Sequence, residues 1–172
     1  MSPNVRKKKE YSNTNYDWFH KTLDISGLSF HRVMQVAYQR DMMNEWGSIV
    51  ALSYIAAQRT FFKYNDMAEA KSLLESIARS FGYHFGKSKK VRVNTISQSP
   101  TPTTAGSGIK SFGEMFKFGE MNSPLGNAPS EACADYCISL FSDYTRYVTM
   151  QNLFHDGGVP AEGIYQDVVD MA

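Results

Sequence analysis

The sequence has almost no excess of charge of either sign, because 18 Lys and Arg residues face 17 Asp and Glu residues. A nucleic-acid-binding module carries a marked basic excess or stripe, so we expect no nucleic-acid partner. No apolar run approaches the roughly 20 residues of a membrane helix. The N-terminal MSPNVRKKKEYSNTN is not followed by the apolar stretch of a secretory signal. We therefore expect a cytoplasmic protein with no membrane partner.

Cysteine is scarce as well. The two cysteines, Cys133 and Cys137, are four residues apart in a segment with helical periodicity. Two thiols without a second pair do not make a zinc site, and one helical turn is a poor geometry for a disulfide. The four histidines form no cluster of ligands along the chain. We expect ordinary thiols in a reducing cytosol and no metal.

The sequence does contain a regular alternation of helical and strand patterns. Ser26, Gly27 and Ser29 indicate a loosened turn or close packing inside the first helix, and KSKK at 87–90 indicates an exposed turn. The predicted elements are a helix over 16–40, a strand over 49–56, a helix over 64–86, a strand over 91–97, a loop over 98–108, helices over about 109–119 and 129–142, and, over 147–158, a last strand that runs into a double-glycine turn.

This order of elements predicts an α/β fold. Strands that alternate with helices of this length indicate parallel βαβ units, and strands this apolar are covered on both faces. Three strands are few for such a sheet. We therefore predict one half of a doubly wound, Rossmann-type parallel sheet, about three strands with flanking helices, in a single incomplete domain over 1–172.

The stretch SYIAAQRTFFKYNDMAEAK carries two phenols and an amine. Tyr64 and Lys71 are seven residues apart on one predicted helix and so face the same way. Tyr54 lies at the carboxyl end of the preceding strand, the edge where parallel sheets bind ligands. A phenol near an ammonium can donate a hydrogen bond to a developing oxyanion, because the positive charge favours the ionised form of the phenol. The alternative is structural: a core tyrosine, a tyrosine at a helix start and a solvated lysine.

The spacing Y-x9-Y-x6-K of Tyr54, Tyr64 and Lys71 resembles that of the NADH-dependent enoyl-acyl-carrier-protein reductases of bacterial type II fatty acid synthesis. These enzymes are a divergent branch of the short-chain dehydrogenase/reductase superfamily, whose ordinary members carry Y-x3-K. The resemblance spans Ser2 to about Gly158 and continues in the family's order through KVRVNTISQSPTPTTAGSGIKSF, SPLGN, FSDYTRYVT and LFHDGG.

The resemblance implies a reaction and a role for each of the three residues. The reaction is reduction of the trans-2 double bond of enoyl thioesters by hydride transfer from NADH in fatty acid elongation. Tyr64 would donate a hydrogen bond to the thioester carbonyl oxygen, where negative charge collects. Lys71 would hold the nicotinamide ribose hydroxyls. Tyr54 would line the acyl pocket and support Tyr64.

The resemblance also implies a cofactor-contacting loop. Pro100, Thr101 and Thr103 are similar to the family's residues beside the nicotinamide and pyrophosphate, and the substrate-binding loop and helix would lie at about 98–121. The family often has glycine before the proline, whereas this chain has Ser99. A side chain at that position makes a close backbone approach to the cofactor harder.

One part of the family's fold is expected to be missing. The family opens with a glycine-rich turn whose amides and helix dipole hold the pyrophosphate of NADH. This sequence has no such turn, since GSG at 106–108 follows a loop rather than a strand. MSPN is similar to the chain just after the family's fourth strand. The resemblance therefore implies the C-terminal portion of the fold, from a truncated gene or a start codon placed too late.

The implied partners are an acyl-carrier-protein-linked enoyl substrate and three further copies of the chain. The family forms tetramers largely through the helices that correspond to 16–40 and 64–86 and the final strand. Lysines at 7–9 and within 87–90 would attract an acidic carrier protein, although solvated loops are the simpler explanation.

Two other functions stay open. The chain could be a non-catalytic remnant that serves as an oligomerisation or partner module, which an unrelated sequence upstream of Met1 would favour. A different short-chain reductase, acting on a ketoacyl or sterol-like substrate, is disfavoured by Y-x6-K in place of Y-x3-K.

Overall fold

A computed structural model describes residues 11–103 and 112–171, apart from the side chain of Asp167. In this part of the chain three strands form one parallel sheet. They are β1 (Ser48–Ser53), β2 (Arg92–Gln98) and β3 (Asn152–His155), and they lie in the order β1-β2-β3. The predicted α/β fold with a three-stranded parallel sheet is confirmed. GSG at 106–108 and the first residues of the helix predicted over 109–119 lie outside the described residues.

Helices cover the sheet, and none of those in the described ranges is both long and apolar enough to cross a membrane. A π-helical turn, Asp24–Leu28, joins the first two helices, which confirms the loosened turn predicted inside 16–40. The helices are α1 (Tyr16–Leu23), α2 (Ser29–Gln39), α3 (Asp66–Lys89), α4 (Phe112–Asn122), α5 (Ser130–Phe141) and α6 (Gln166–Asp170).

Two strands are shorter than the sequence predicts. The strand predicted over 49–56 ends at Ser53, because the chain turns into a single 3-10 turn at Ile55–Ala57. The strand predicted over 147–158 begins only at Asn152, since Met150 has a φ of 61° and interrupts the extended backbone.

The long helix α3 starts and ends later than predicted. It begins at Asp66 rather than Tyr64, and it continues to Lys89. Three of the four residues of KSKK are therefore helical, and the prediction of a turn there is wrong. The helix stops at Lys90, which has a φ of 59° and whose amide donates to the Gly86 carbonyl at 3.1 Å. The short helix α6 has no counterpart among the predicted elements.

Strand β2 is the centre of the sheet and is buried on both faces. Its apolar side packs on α2 and α3 through Val93 in a core shared with Met34, Ala78, Phe85 and Val91. Two of its polar side chains bond to backbone carbonyls: Arg92 Nη1 donates to that of Leu140 at 3.0 Å, and Asn94 Nδ2 donates to that of Val148 at 2.8 Å.

The outer edge of β1 is unpaired within the described residues. The Arg92 amide donates to the Gly47 carbonyl at 2.9 Å, so residues 47, 49, 51 and 53 face β2. Backbone groups alternate along a strand, and those of Ser48, Val50 and Leu52 therefore point away from the sheet. β1 is therefore an edge strand, since no strand of the described residues pairs with its outer backbone groups, as the predicted half-sheet requires.

Candidate active site

The site lies where the parallel strands end, and Tyr54 is its first member. β1 stops at Ser53, and Tyr54 follows in an extended conformation before the chain turns. The Tyr54 side chain is buried, with 8% of its surface exposed. Burial raises the pKa of this phenol well above its ordinary value, and the neighbouring Tyr64 and Asp156 raise it further.

Tyr64 lies against Tyr54, but it reaches this place from a turn rather than from the helix. Tyr64 precedes α3, between Lys63 with a φ of 68° and Asn65 with a φ of 49°. Its ring centroid lies 4.9 Å from that of Tyr54, with the rings tilted by 49°. The structure thus brings the two phenols together, although the prediction that Tyr64 and Lys71 share one helix is wrong.

Lys71 lies in the second turn of α3, and its side chain extends to the edge of the sheet. Its Nζ donates to the Leu52 carbonyl oxygen at 2.8 Å, which is one of the outward-facing groups of β1. Burial lowers the pKa of the Lys71 ammonium, and the negative charge of Glu75 opposes that shift. The Lys71 ammonium is therefore bonded to the backbone of β1 at a residue that lies two positions before Tyr54 in the chain.

Tyr64 keeps the proton that a hydrogen-bond donor needs. Burial raises its pKa to about 12, which outweighs the opposite effect that the sequence predicts for a nearby ammonium. At neutral pH the residue is therefore a protonated phenol that can donate a hydrogen bond.

Tyr54 and Pro100 line one small, mostly apolar cavity between the strand ends and α4. The part of this cavity that the centre of a water molecule can reach has a volume of only about 10 Å³. The lining side chains therefore nearly close the cavity. The lining residues are Tyr54, Ile55, Phe61, Pro100, Met115, Phe118, Gly119, Asn127, Asp156 and Val159.

The loop after β2 holds the other predicted cofactor residues. Thr101 Oγ1 donates to the Ser99 carbonyl at 3.0 Å and accepts from Gln98 Nε2 at 3.3 Å. Ser99, which stands where glycine was expected, is buried, and its Oγ accepts from the Ala128 amide at 3.0 Å. Thr103 is exposed at the end of the described loop. The hydroxyl of Ser99 thus ties this loop to the segment before α5.

Several residues at the site were not singled out from the sequence. Met115 and Phe118 are three apart on α4, a spacing that signals a shared helix face. Asp156 belongs to LFHDGG and is 93% buried; its Oδ1 accepts from the Gly158 amide at 3.2 Å, and burial raises its pKa. Glu75, four residues after Lys71, is buried beneath the Tyr54 segment.

Comparisons with known proteins agree with this geometry. The sequence model of the enoyl-(acyl carrier protein) reductase family matches residues 1–160. The NADH-dependent enoyl-acyl-carrier-protein reductase FabI of Bacillus subtilis is 37% identical over 150 residues, which are 87% of this chain and 57% of the relative. Enoyl-acyl-carrier-protein reductase 1 of Rhizobium meliloti is 36% identical over 90% of this chain and 56% of its own length.

Solved structures show the same fold. The FabI–NADH complex of Alistipes finegoldii superposes with a TM-score of 0.90 at 64% identity, covering 96% of this chain and 58% of that one. The Plasmodium berghei reductase crystallised with triclosan superposes with a TM-score of 0.86 at 28% identity, covering 93% and 57%. The chain spans little more than half the length of these relatives. It belongs to the enoyl-(acyl carrier protein) reductase family.

Proposed function

We propose that this chain carries the catalytic portion of an enoyl-acyl-carrier-protein reductase. The reaction is the reduction of the trans-2 double bond of an enoyl thioester in fatty acid elongation, with NADH as the hydride donor. The observation that carries the proposal is the pair of phenols, buried Tyr54 and half-buried Tyr64, whose rings lie 4.9 Å apart at the carboxyl edge of the sheet. Family membership and relatives named as NADH-dependent reductases support it.

The reaction requires a hydrogen-bond donor at the thioester carbonyl oxygen, and we assign this role to Tyr64. NADH, when bound, would supply a hydride to the β-carbon. The double-bond electrons would then move through the α-carbon to the thioester carbonyl oxygen, giving an enolate. A hydrogen-bond donor held at that oxygen lowers the barrier. Because burial raises the pKa of Tyr64 to about 12, the phenol keeps its proton and is available as this donor. A proton taken up from water at the α-carbon would then complete the saturated thioester.

The residues that would hold the nicotinamide end of NADH are Lys71, Pro100, Thr101 and Thr103. Pro100 lines the same cavity as Tyr54, and Lys71 is held at the adjacent strand end. An ammonium and threonine hydroxyls suit ribose hydroxyls and phosphate oxygens. These residues fit one half of a dinucleotide, and the sequence contains no glycine-rich turn for its pyrophosphate.

We extend the proposal to assembly, substrate carrier and location. The exposed apolar side chains of α2 and α3 include Val33, which is 65% exposed, and Tyr83. A groove between the same helices is lined by His31, Tyr38 and Phe81 among others. These surfaces suit a homotetramer built through the long helices. The substrate would be carried on an acyl-carrier protein, and the free thiols of α5 suit a cytoplasmic location.

The test is a chimera that joins this chain to the preceding segment of the Bacillus subtilis relative. With NADH and a crotonyl thioester we expect turnover, measured by the loss of NADH absorbance. Tyr64→Phe should lower turnover about 10- to 1000-fold, because an oxyanion donor is lost. Tyr144→Phe, a change at a tyrosine that is 99% exposed, is the matched control. Equal rates in all three proteins would contradict the assignment of Tyr64, and no turnover at all would favour a non-catalytic module.

A further inference from the structure

Glu75 of α3 is a buried carboxylate that contacts both ends of the segment carrying Tyr54. Ser53 Oγ donates to its Oε1 at 2.6 Å, and Gln58 Nε2 donates to its Oε2 at 2.8 Å. Ser53 lies directly before Tyr54, and Gln58 lies four residues after it. A single carboxylate therefore fastens the segment at each of its ends.

A buried carboxylate must be stabilised by its partners, because burying a charge costs free energy unless the charged group is hydrogen-bonded. Glu75 is only 3% exposed. Each of its oxygens accepts one hydrogen bond, and its charge also favours the ammonium of Lys71, one turn earlier on the same helix. An apolar residue would fill the space but would bind neither Ser53 nor Gln58.

Two further contacts join the same stretch to α3. Lys71 Nζ donates to the Leu52 carbonyl at 2.8 Å, and Ser72 Oγ donates to the Ala57 carbonyl at 2.7 Å. Residues 71, 72 and 75 are neighbours on the helix surface. Lys71 and Ser72 hold backbone oxygens, whereas Glu75 holds the two side chains that flank Tyr54.

We propose that Glu75 is a positioning residue of the site. By fixing residues 53–58 on α3 it keeps the Tyr54 ring against Tyr64, and through this pair it sets the wall that receives the enoyl thioester. The contact to substrate rests on the function proposed above. The fastening of the segment does not, and it can be measured without any substrate.

Hydrogen–deuterium exchange of the 172-residue chain tests the fastening. The amides at 57–59 donate to the carbonyl oxygens of Tyr54 and Ile55, so they are protected while the turn is closed. Glu75→Leu has a similar size but no acceptor. We expect the amides at 57–59 to exchange at least about tenfold faster in this variant, with those of β2 unchanged. Unchanged exchange at 57–59 would overturn the proposal.

The conservative variant Glu75→Gln should restore protection. Its amide oxygen can accept from Gln58, and its amide N–H can donate to Ser53, whose hydroxyl is free to turn. Ser76→Ala, an exposed change at the next position, is the control and should leave exchange as in the wild type. Exchange in Glu75→Gln as fast as in Glu75→Leu would show that the hydrogen bonds do not fasten the segment.

Glu75→Leu could also accelerate exchange in β2 by unfolding the chain. In that case a milder variant tests whether Glu75 fastens residues 53–58. Gln58→Leu removes one donor from an exposed position and leaves the bond from Ser53 in place. We expect about threefold faster exchange at 57–59 with β2 unchanged. Wild-type exchange in this variant would overturn the proposal.

Kinetics of the chimera test the link to the reaction. Glu75→Leu should raise the KM for the crotonyl thioester about tenfold, and Glu75→Gln should bring it back to the wild-type value. A wild-type KM in Glu75→Leu would overturn the positioning role even if exchange had increased. A chimera inactive in every form would contradict the proposed function. Hydrogen exchange would then test only whether Glu75 fastens residues 53–58 on α3.

Discussion

Tyr64 is a tyrosine whose proton the fold retains. Burial raises its pKa from 10.0 to about 12. The folded state binds this proton more tightly than the unfolded state, so the stabilising contribution is complete below about pH 10 and is lost as the pH rises towards 12. We expect the stability of Tyr64→Phe to fall less steeply with pH over this window than that of the wild type. Urea midpoints measured across the window provide the comparison.

The exposed Tyr144 supplies the control for this titration, since Tyr144→Phe should leave the slope of the wild type unchanged. Tyrosinate absorbance gives an independent reading, because the phenol that ionises near pH 12 should vanish from the titration of Tyr64→Phe. An equal alkaline slope in Tyr64→Phe and the wild type would show that Tyr64 is solvated and not packed against Tyr54.

Spacing in the sequence predicts that Tyr54 and Tyr64 converge, because one lies at the end of a predicted strand and the other at the start of the next helix. Their rings do lie together, whereas their roles in a reaction stay predictions. The contact of Lys71 with the Leu52 carbonyl could not be foreseen, because it depends on an outward-facing backbone group of an edge strand. Glu75 was missed because its partners lie 17 and 22 residues upstream.

At the scale of elements, the packing of the π-turn on α3 is tight enough to measure. A Cβ on Gly27 would lie 3.0 Å from Leu73 Cδ2 and 3.2 Å from the Ala70 carbonyl oxygen. Gly27→Ala should therefore destabilise the chain by about 1–3 kcal/mol, the usual cost of overpacking. The urea midpoint at fixed protein concentration measures this change.

Gly86→Ala is the matched control, because its Cβ would meet only the Val91 carbonyl at 3.8 Å. Alanine is the better helix former, so this variant should gain roughly 0.5–1 kcal/mol. If both variants were stabilised alike, the close approach of the π-turn to α3 would be wrong.

Element types were predictable from the sequence, but several ends were not. The helix α3 starts after Lys63 and Asn65, which have φ values of 68° and 49°, and no glycine marks these positions in the sequence. Met150 likewise delays β3 with a φ of 61°. A positive φ at a residue other than glycine is hard to predict from the sequence. The starts of α3 and β3 are therefore set by tertiary structure.

At the scale of the whole molecule, the unpaired edge of β1 favours self-association. The backbone groups of Val50 and Leu52 face outwards, and the Leu52 side chain is 52% exposed. A flat apolar edge of this kind is a template for pairing with another chain. We expect the 172-residue chain to form large species in size-exclusion chromatography with light scattering, rather than a monomer.

A proline at position 50 should suppress this association. The Val50 amide points away from β2, so Val50→Pro removes an outward donor without a ladder bond, the position where an edge strand tolerates proline. Val50→Ala keeps that donor and is the control. We expect at least about a twofold smaller fraction of large species in Val50→Pro alone. A monodisperse wild-type monomer would show that the edge of β1 is covered.

The proposed function requires that hydride passes from NADH to the β-carbon of the enoyl thioester. The most direct measurement follows the transferred hydrogen. The chimera is supplied with NADH that carries deuterium at the transferred position and with a crotonyl thioester, and the product is analysed by mass spectrometry and NMR. The account predicts one deuterium at the β-carbon of the saturated thioester, formed about 10- to 1000-fold more slowly by Tyr64→Phe than by the wild type or Tyr144→Phe. Product without deuterium at the β-carbon, or equal rates for Tyr64→Phe and the wild type, would contradict it.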